Sequence, residues 1–112
     1  MKYLLAAVLS CIASAAPAQG VQVQGVGNLS CGEYLQLREK KAPGQNAVLA
    51  SWIWGYMAGF NMEVRRPTTR PLPDEASTLA YVDKYCRENP LNSVIEATGA
   101  LVLELGGKRN PQ

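Results

Sequence analysis

From about residue 30 to the C-terminal glycines, apolar residues recur at three and four, and nowhere does the chain sustain the two-residue alternation of a strand. Cys31, Tyr34, Leu35 and Arg38 share one helical face, so the first helix carries an apolar stripe that ends on a charge. It opens at Ser30, whose spacing to Glu33 is that of a capping box: the serine oxygen accepts from the Glu33 amide while the carboxylate reaches back. Lys40 and Lys41 suit the negative end of the helix dipole, and Ala42-Pro43-Gly44 stops the helix.

The longest apolar stretch predicts a second helix over 47–64. Leu49, Trp52, Ile53, Tyr56, Met57, Phe60 and Val64 form its stripe, and Trp54 lies off that stripe, where it is expected to meet a second surface. Gly55 and Gly59 sit one turn apart inside it, each costing about 1 kcal/mol against alanine. Close approach of another helix, allowed by the missing Cβ atoms, is the expected compensation. The segment is too short and too interrupted to span a bilayer.

Residues 65–73 (RRPTTRPLP) are a basic connector whose three prolines forbid a continuous helix. A third helix follows from Asp74 or Ser77 to Glu88, with Leu79, Val82 and Cys86 inside and Tyr81 and Tyr85 beside them. Asn89-Pro90 reads as a break that also starts the last helix, since proline fits a first helical position. Its stripe is Val94, Ile95, Thr98, Leu101, Val102 and Leu105, and Gly106-Gly107 ends it. The pattern predicts an all-α, four-helix domain over 29–107, with a polar tail at 108–112. Residues 19–28, rich in Gly and Gln without helical period, are expected to be a flexible leader.

The first 18 residues belong to a different kind of segment. Lys2 supplies a positive start, Tyr3 to Ile12 an apolar run of about ten residues, and Ala16-Pro17-Ala18 a small-residue cleavage site, the three parts of a secretory signal. A competing reading makes Cys11, after Val8-Leu9-Ser10, the acylated residue of a lipoprotein; the site at Ala16–Ala18 favours cleavage there and export to the periplasm. Removing 18 of the 112 residues leaves about 94, enough for one modest core. Two of the three cysteines remain, Cys31 and Cys86, an even number in an oxidising compartment, and they are expected to form one structural disulfide.

Without Lys2, the chain carries 10 basic and 9 acidic residues, a near-neutral balance with no electrostatic footprint for nucleic acid. It contains no histidine, so it lacks the usual general base near neutral pH and the commonest metal ligand. Oxidised cysteines leave no thiolate. No phosphate-binding glycine motif occurs. The carboxylates Asp74-Glu75 and Asp83 near Glu88 read as helix-end and surface charges. The composition therefore predicts a binding protein without enzymatic activity, cofactor or metal. Trp52, Trp54, Tyr56 and Phe60 are candidates for an interface, because Trp and Tyr dominate binding hot spots. Gly55 and Gly59 are candidates for close helix packing. Arg65, Arg66 and Arg70 form a basic loop able to meet an anionic partner.

Three segments together resemble periplasmic proteins of the HdeA/HdeB type. These are Ser30-Cys31-Gly32-Glu33-Tyr34-Leu35, the Trp/Gly helix from Trp52 to Phe60, and Val82 with Tyr85-Cys86-Arg87-Glu88-Asn89-Pro90. The resemblance covers the layout of most of residues 30–105 and implies a four-helix fold with one disulfide between the two cysteines. It also implies acid-stress chaperoning by a homodimer that dissociates at low pH and binds unfolded clients. Acid would carry the net charge from +1 towards about +10 as nine carboxylates protonate, and self-repulsion would loosen an interface. The chain departs from that family in its neutral-to-basic balance and its Pro/Arg connector. A second resemblance is to amidase-immunity proteins of type VI secretion, whose Gly-Tyr-x-x-Gly helix matches Gly55-Tyr56-Met57-Ala58-Gly59, with Trp54 where a Cys is expected. It implies an inhibitor of a periplasmic toxin enzyme.

Overall fold

The computed structural model of the protein describes residues 22–63 and 67–108. The expected secretory segment with Cys11, the start of the expected leader, Val64, Arg65, Arg66 and residues 109–112 lie outside the described residues. Four helices make the fold: α1 (Cys31–Lys40), α2 (Gln45–Glu63), α3 (Glu75–Glu88) and α4 (Val94–Glu104), preceded by a 3-10 turn at Gly25–Asn28. No strand occurs among the described residues, so the domain is all-α, as its periodicity predicts.

Helix α1 starts as its capping box dictates. Ser30 Oγ accepts from the Glu33 N–H at 3.1 Å, and the Ser30 N–H donates to Glu33 Oε2 at 2.8 Å. It ends at Lys41, whose φ of 50° puts a non-glycine residue in the left-handed region. Helix α2 then begins at Gln45, two residues earlier than its apolar stripe suggests, directly after Gly44 (φ 76°). Leu49, Ala50, Ile53 and Met57 are its buried residues; Trp52, Trp54, Tyr56 and Phe60 pack at the margins of the core.

The connector after α2 is strapped down by hydrogen bonds. Asn61 accepts from the Thr68 N–H at 2.9 Å and donates to Thr68 Oγ1 at 3.0 Å. The Thr69 and Arg70 N–H groups donate to the Leu105 carbonyl at 3.0 and 3.2 Å, satisfying an orphan acceptor at the end of α4. Asp74 caps α3 by accepting from the Ser77 N–H at 2.7 Å, and Thr78, Leu79, Val82 and Cys86 face inwards.

The start of α4 differs from expectation. Pro90 lies in the turn, and the helix begins at Val94 behind Ser93, whose N–H and O–H both donate to Glu96 Oε2 at 2.7 and 3.0 Å. Proline suits a helix start, but here the turn 89–92 must first bring the chain back across α1. Cys31 N–H donates to the Asn92 carbonyl at 2.8 Å and Val94 N–H to the Leu29 carbonyl at 3.0 Å, so α1 and α4 start side by side. In α4 the buried residues are Val94, Ala97, Thr98, Leu101 and Val102; Ile95 is half-buried and Ala97 takes its expected place.

The leader differs too. Its last part forms the 3-10 turn, Val26 packs on the core and Gly27 is buried against the Trp52 ring, so the packed domain starts near residue 25 rather than 29. Four residues are too few to show a helical period, which is why this element is silent in the sequence.

Helix α3 lies at the centre, packed against α1, α2 and α4. The disulfide joins Cys31 at the first turn of α1 to Cys86 in the last turn of α3, with Cα atoms 4.8 Å apart and both residues fully buried. Tyr34, also fully buried, donates from its hydroxyl to the Leu79 carbonyl at 3.3 Å. Burial, and then the neighbouring Asp83, push the Tyr34 phenol well above its ordinary value, so it stays neutral. Arg38, the charged end of the α1 stripe, faces α3 because it pairs with Asp83: Nε to Oδ1 at 2.9 Å and Nη2 to Oδ2 at 3.0 Å. Its Nη1 donates to Asn46 Oδ1 at 2.7 Å and so ties in the start of α2.

Candidate functional site

Helix α2 is apolar almost all round; its only charged residue is Glu63, the last one. Such a helix belongs inside a protein. Here one side packs on α3, α4 and the 3-10 turn, while the opposite side is open. Val48, Ser51, Gly55, Ala58, Gly59 and Met62 make that open side, with Val48 56 % and Met62 83 % exposed.

The structure divides the six residues singled out by sequence into two sets. Trp54 turns towards α3, where its N–H is shared between the Pro73 carbonyl and Thr78 Oγ1, both at 3.1 Å. It is the second-surface contact its off-stripe position predicts, and it fixes the entry into α3. Trp52 stacks on Tyr56 with ring centroids 5.9 Å apart and a 23° interplanar angle, and Gly27 lies close against its six-membered ring. Phe60 abuts Gly107 behind the end of α4. These aromatics are half-buried and pack against the core.

Gly55 and Gly59 correct the packing expectation. Among the described residues a Cβ on either would meet nothing within 4 Å, and both are exposed, so none of the four helices described packs against them. Their effect is to remove side chains from a surface. The two glycines, Tyr56, Phe60 and Glu63 line an open, shallow groove of about 380 Å³. A spacing of four between glycines marks a notch in a helix surface; it does not say whether the notch is filled from within the same chain. What the sequence missed is the rest of the face: Val48, Ser51, Ala58 and Met62 lie beside the glycines at helical spacing, but attention falls on the aromatics.

Of the basic loop, Arg70 is exposed and holds its place through the backbone, whose N–H bonds Leu105. Asp83 pairs with Arg38, and Asp74 caps the start of α3. The Ser77 amide on Asp74 holds that carboxyl below its usual value, as the Ser30 amide does for Glu33. Among the described residues no group of three His, Cys, Asp or Glu side chains is placed to hold a metal ion. Among the same residues no helix is long and apolar enough to cross a membrane. The disulfide is compatible with secretion, since such bonds persist in oxidising compartments.

These features define a small all-α domain of four helices closed by one disulfide, with an uncharged face on its longest helix. No protein-family model, no curated protein and no solved structure matches the chain.

Proposed function

We propose that the protein is an exported periplasmic binding protein that holds apolar segments of other proteins on the open face of α2. The observation that carries this reading is an uncharged, exposed helix face running from Val48 to Met62, with a groove where Gly55 and Gly59 leave out side chains. Exposed apolar surface of this kind is costly to keep without a partner. Extended unfolded segments fit it better than a folded partner does, because the groove is shallow and open along its length. Acid-stress chaperoning of the HdeA/HdeB type is the specific activity this supports, with binding rather than turnover as the job. The absence of histidine and the locking of both domain cysteines in the disulfide favour the same conclusion.

The test is suppression of client aggregation by the mature protein at neutral pH and at about pH 2–3, where the carboxylates are protonated. Val48→Lys and Met62→Lys place charges on an exposed face and leave the core intact, so the variants should fold normally and lose client binding. Variants that protect clients as well as the parent protein would remove the reading. A chain inert towards all clients, yet binding one folded enzyme tightly at one-to-one stoichiometry, would transfer it to the immunity class.

A further inference from the structure

Apart from the open α2 face, the end of α1, the start of α2 and the last turns of α3 border an open basin of about 630 Å³. That volume lies within the range of small-molecule sites. Leu35 and Ala42 supply apolar lining, and the rest is polar: Arg38, Glu39, Lys41, Asn46, Asp83 and Arg87.

The hydrogen bonds already made decide what the basin has left to offer. Both oxygens of Asp83 are taken by Arg38, so this carboxylate is neutralised in place. Asn46 accepts from Arg38 through Oδ1, which leaves its amide nitrogen as the free end, with two donors. Neither Lys41 nor Arg87 forms an ion pair among the described residues, where Arg38–Asp83 is the recorded pair. Two cations and an amide donor thus stand against the single carboxylate of Glu39. The positive start of α2 meets the negative ends of both α1 and α3 at the basin, so its positive charge comes from the Lys41 and Arg87 side chains.

Lys41 adds a second observation. It occupies the left-handed position after α1, where glycine sits without steric cost, yet the chain places a lysine there at φ 50°. From that position Lys41 lines the basin.

We propose that this basin binds a small organic carboxylate. Lys41, Arg87 and the Asn46 amide hold the charged end, and Leu35 and Ala42 receive the apolar substituent. The site shares no residue with the α2 face, and its fate is independent of the client-binding reading.

The experiment is an NMR titration of the disulfide-bonded protein with acetate, hexanoate and inorganic phosphate at low ionic strength. Hexanoate should give saturable shifts at residues 35, 41, 42, 46 and 87, and bind about tenfold more tightly than acetate through partial burial of its added methylenes. The Lys41→Gln/Arg87→Gln variant should lose at least about tenfold of that affinity, while Arg87→Lys retains most of it. Shifts that do not saturate, equal affinity for acetate and hexanoate, or phosphate binding the same residues more tightly than hexanoate would each overturn the proposal. So would hexanoate shifts confined to the Val48–Met62 face.

Discussion

Reduction of the Cys31–Cys86 bond should release α1 from the rest of the domain. The bond closes a loop of 55 residues in sequence separation, and constraining a loop of that size in the unfolded chain stabilises the fold by about 4 kcal/mol. A domain of this length has a total of roughly 4–12 kcal/mol. What remains to hold α1 after reduction is the buried Tyr34 with its bond to Leu79, the Arg38–Asp83 pair and the bridge to the start of α4. The ion pair is a weak substitute. Its side chains are 25 % and 18 % exposed, and half-solvated pairs contribute on the order of 1 kcal/mol. At about 4–8 °C per kcal/mol for a domain this small, the melting temperature should fall by roughly 15–30 °C. Thermal unfolding followed by circular dichroism, with free thiols counted before each scan, measures the shift. Hydrogen exchange on the reduced protein should show α1 amides losing protection before those of α2 and α4. A drop under about 5 °C with both thiols free would refute the loop-closure argument. Uniform loss of protection across all four helices would refute the claim that α1 is the element held by the bond.

Further outcomes follow from single contacts. Trp54→Phe keeps an aromatic side chain but removes the N–H shared by Pro73 and Thr78 together with part of the indole packed on the core, and should cost about 1–3 kcal/mol in denaturant unfolding. Gly27→Ala pushes a methyl group into the Trp52 ring and should cost about 1–3 kcal/mol, with a change in tryptophan fluorescence as the turn lifts. Glu33 and Asp74 are held below their ordinary values of 4.5 and 3.8 by the amides they cap, so their stabilisation is present above those values and is lost as pH falls through and below them. Glu33→Gln with Asp74→Asn should therefore flatten the acid limb of a stability–pH curve, and an unchanged limb would show that other carboxylates set it.

Much of this fold is legible in the sequence because the signals are local. The Ser30–Glu33 box fixes the start of α1, and the period of Leu79, Val82 and Cys86 fixes the inner face of α3. The start of α4 shows how two local signals compete. Ser93 and Glu96 have the same capping spacing as Ser30 and Glu33, but Asn89-Pro90 comes first and is the louder mark. Pro90 stays in the turn because the Asn92 carbonyl must accept from Cys31 of α1 and the Leu29 carbonyl from Val94 of α4, a long-range demand that no local pattern records. Arg38 is the reverse case: a charge on an apolar stripe looks like the stripe's frayed end until Asp83, 45 residues away, explains it. The face of α2 is the least legible element. A helix apolar all round has no preferred direction, so its sequence cannot say which side the other helices leave bare.

Gly27 and Gly107 have a joint consequence. The first rests on Trp52 and the second on Phe60, so the beginning and the end of the folded domain both dock on α2. The two aromatic residues are eight positions apart, about 12 Å along a helix axis. The ends of the fold are therefore near neighbours in space, and a linker of a few residues would close the chain into a ring. The Ala42–Gly44 turn, exposed and free of core contacts, is the natural place to reopen it. In such a permuted chain α2 would come first and α1 last, and the same four helices would be reached by a different path through the sequence.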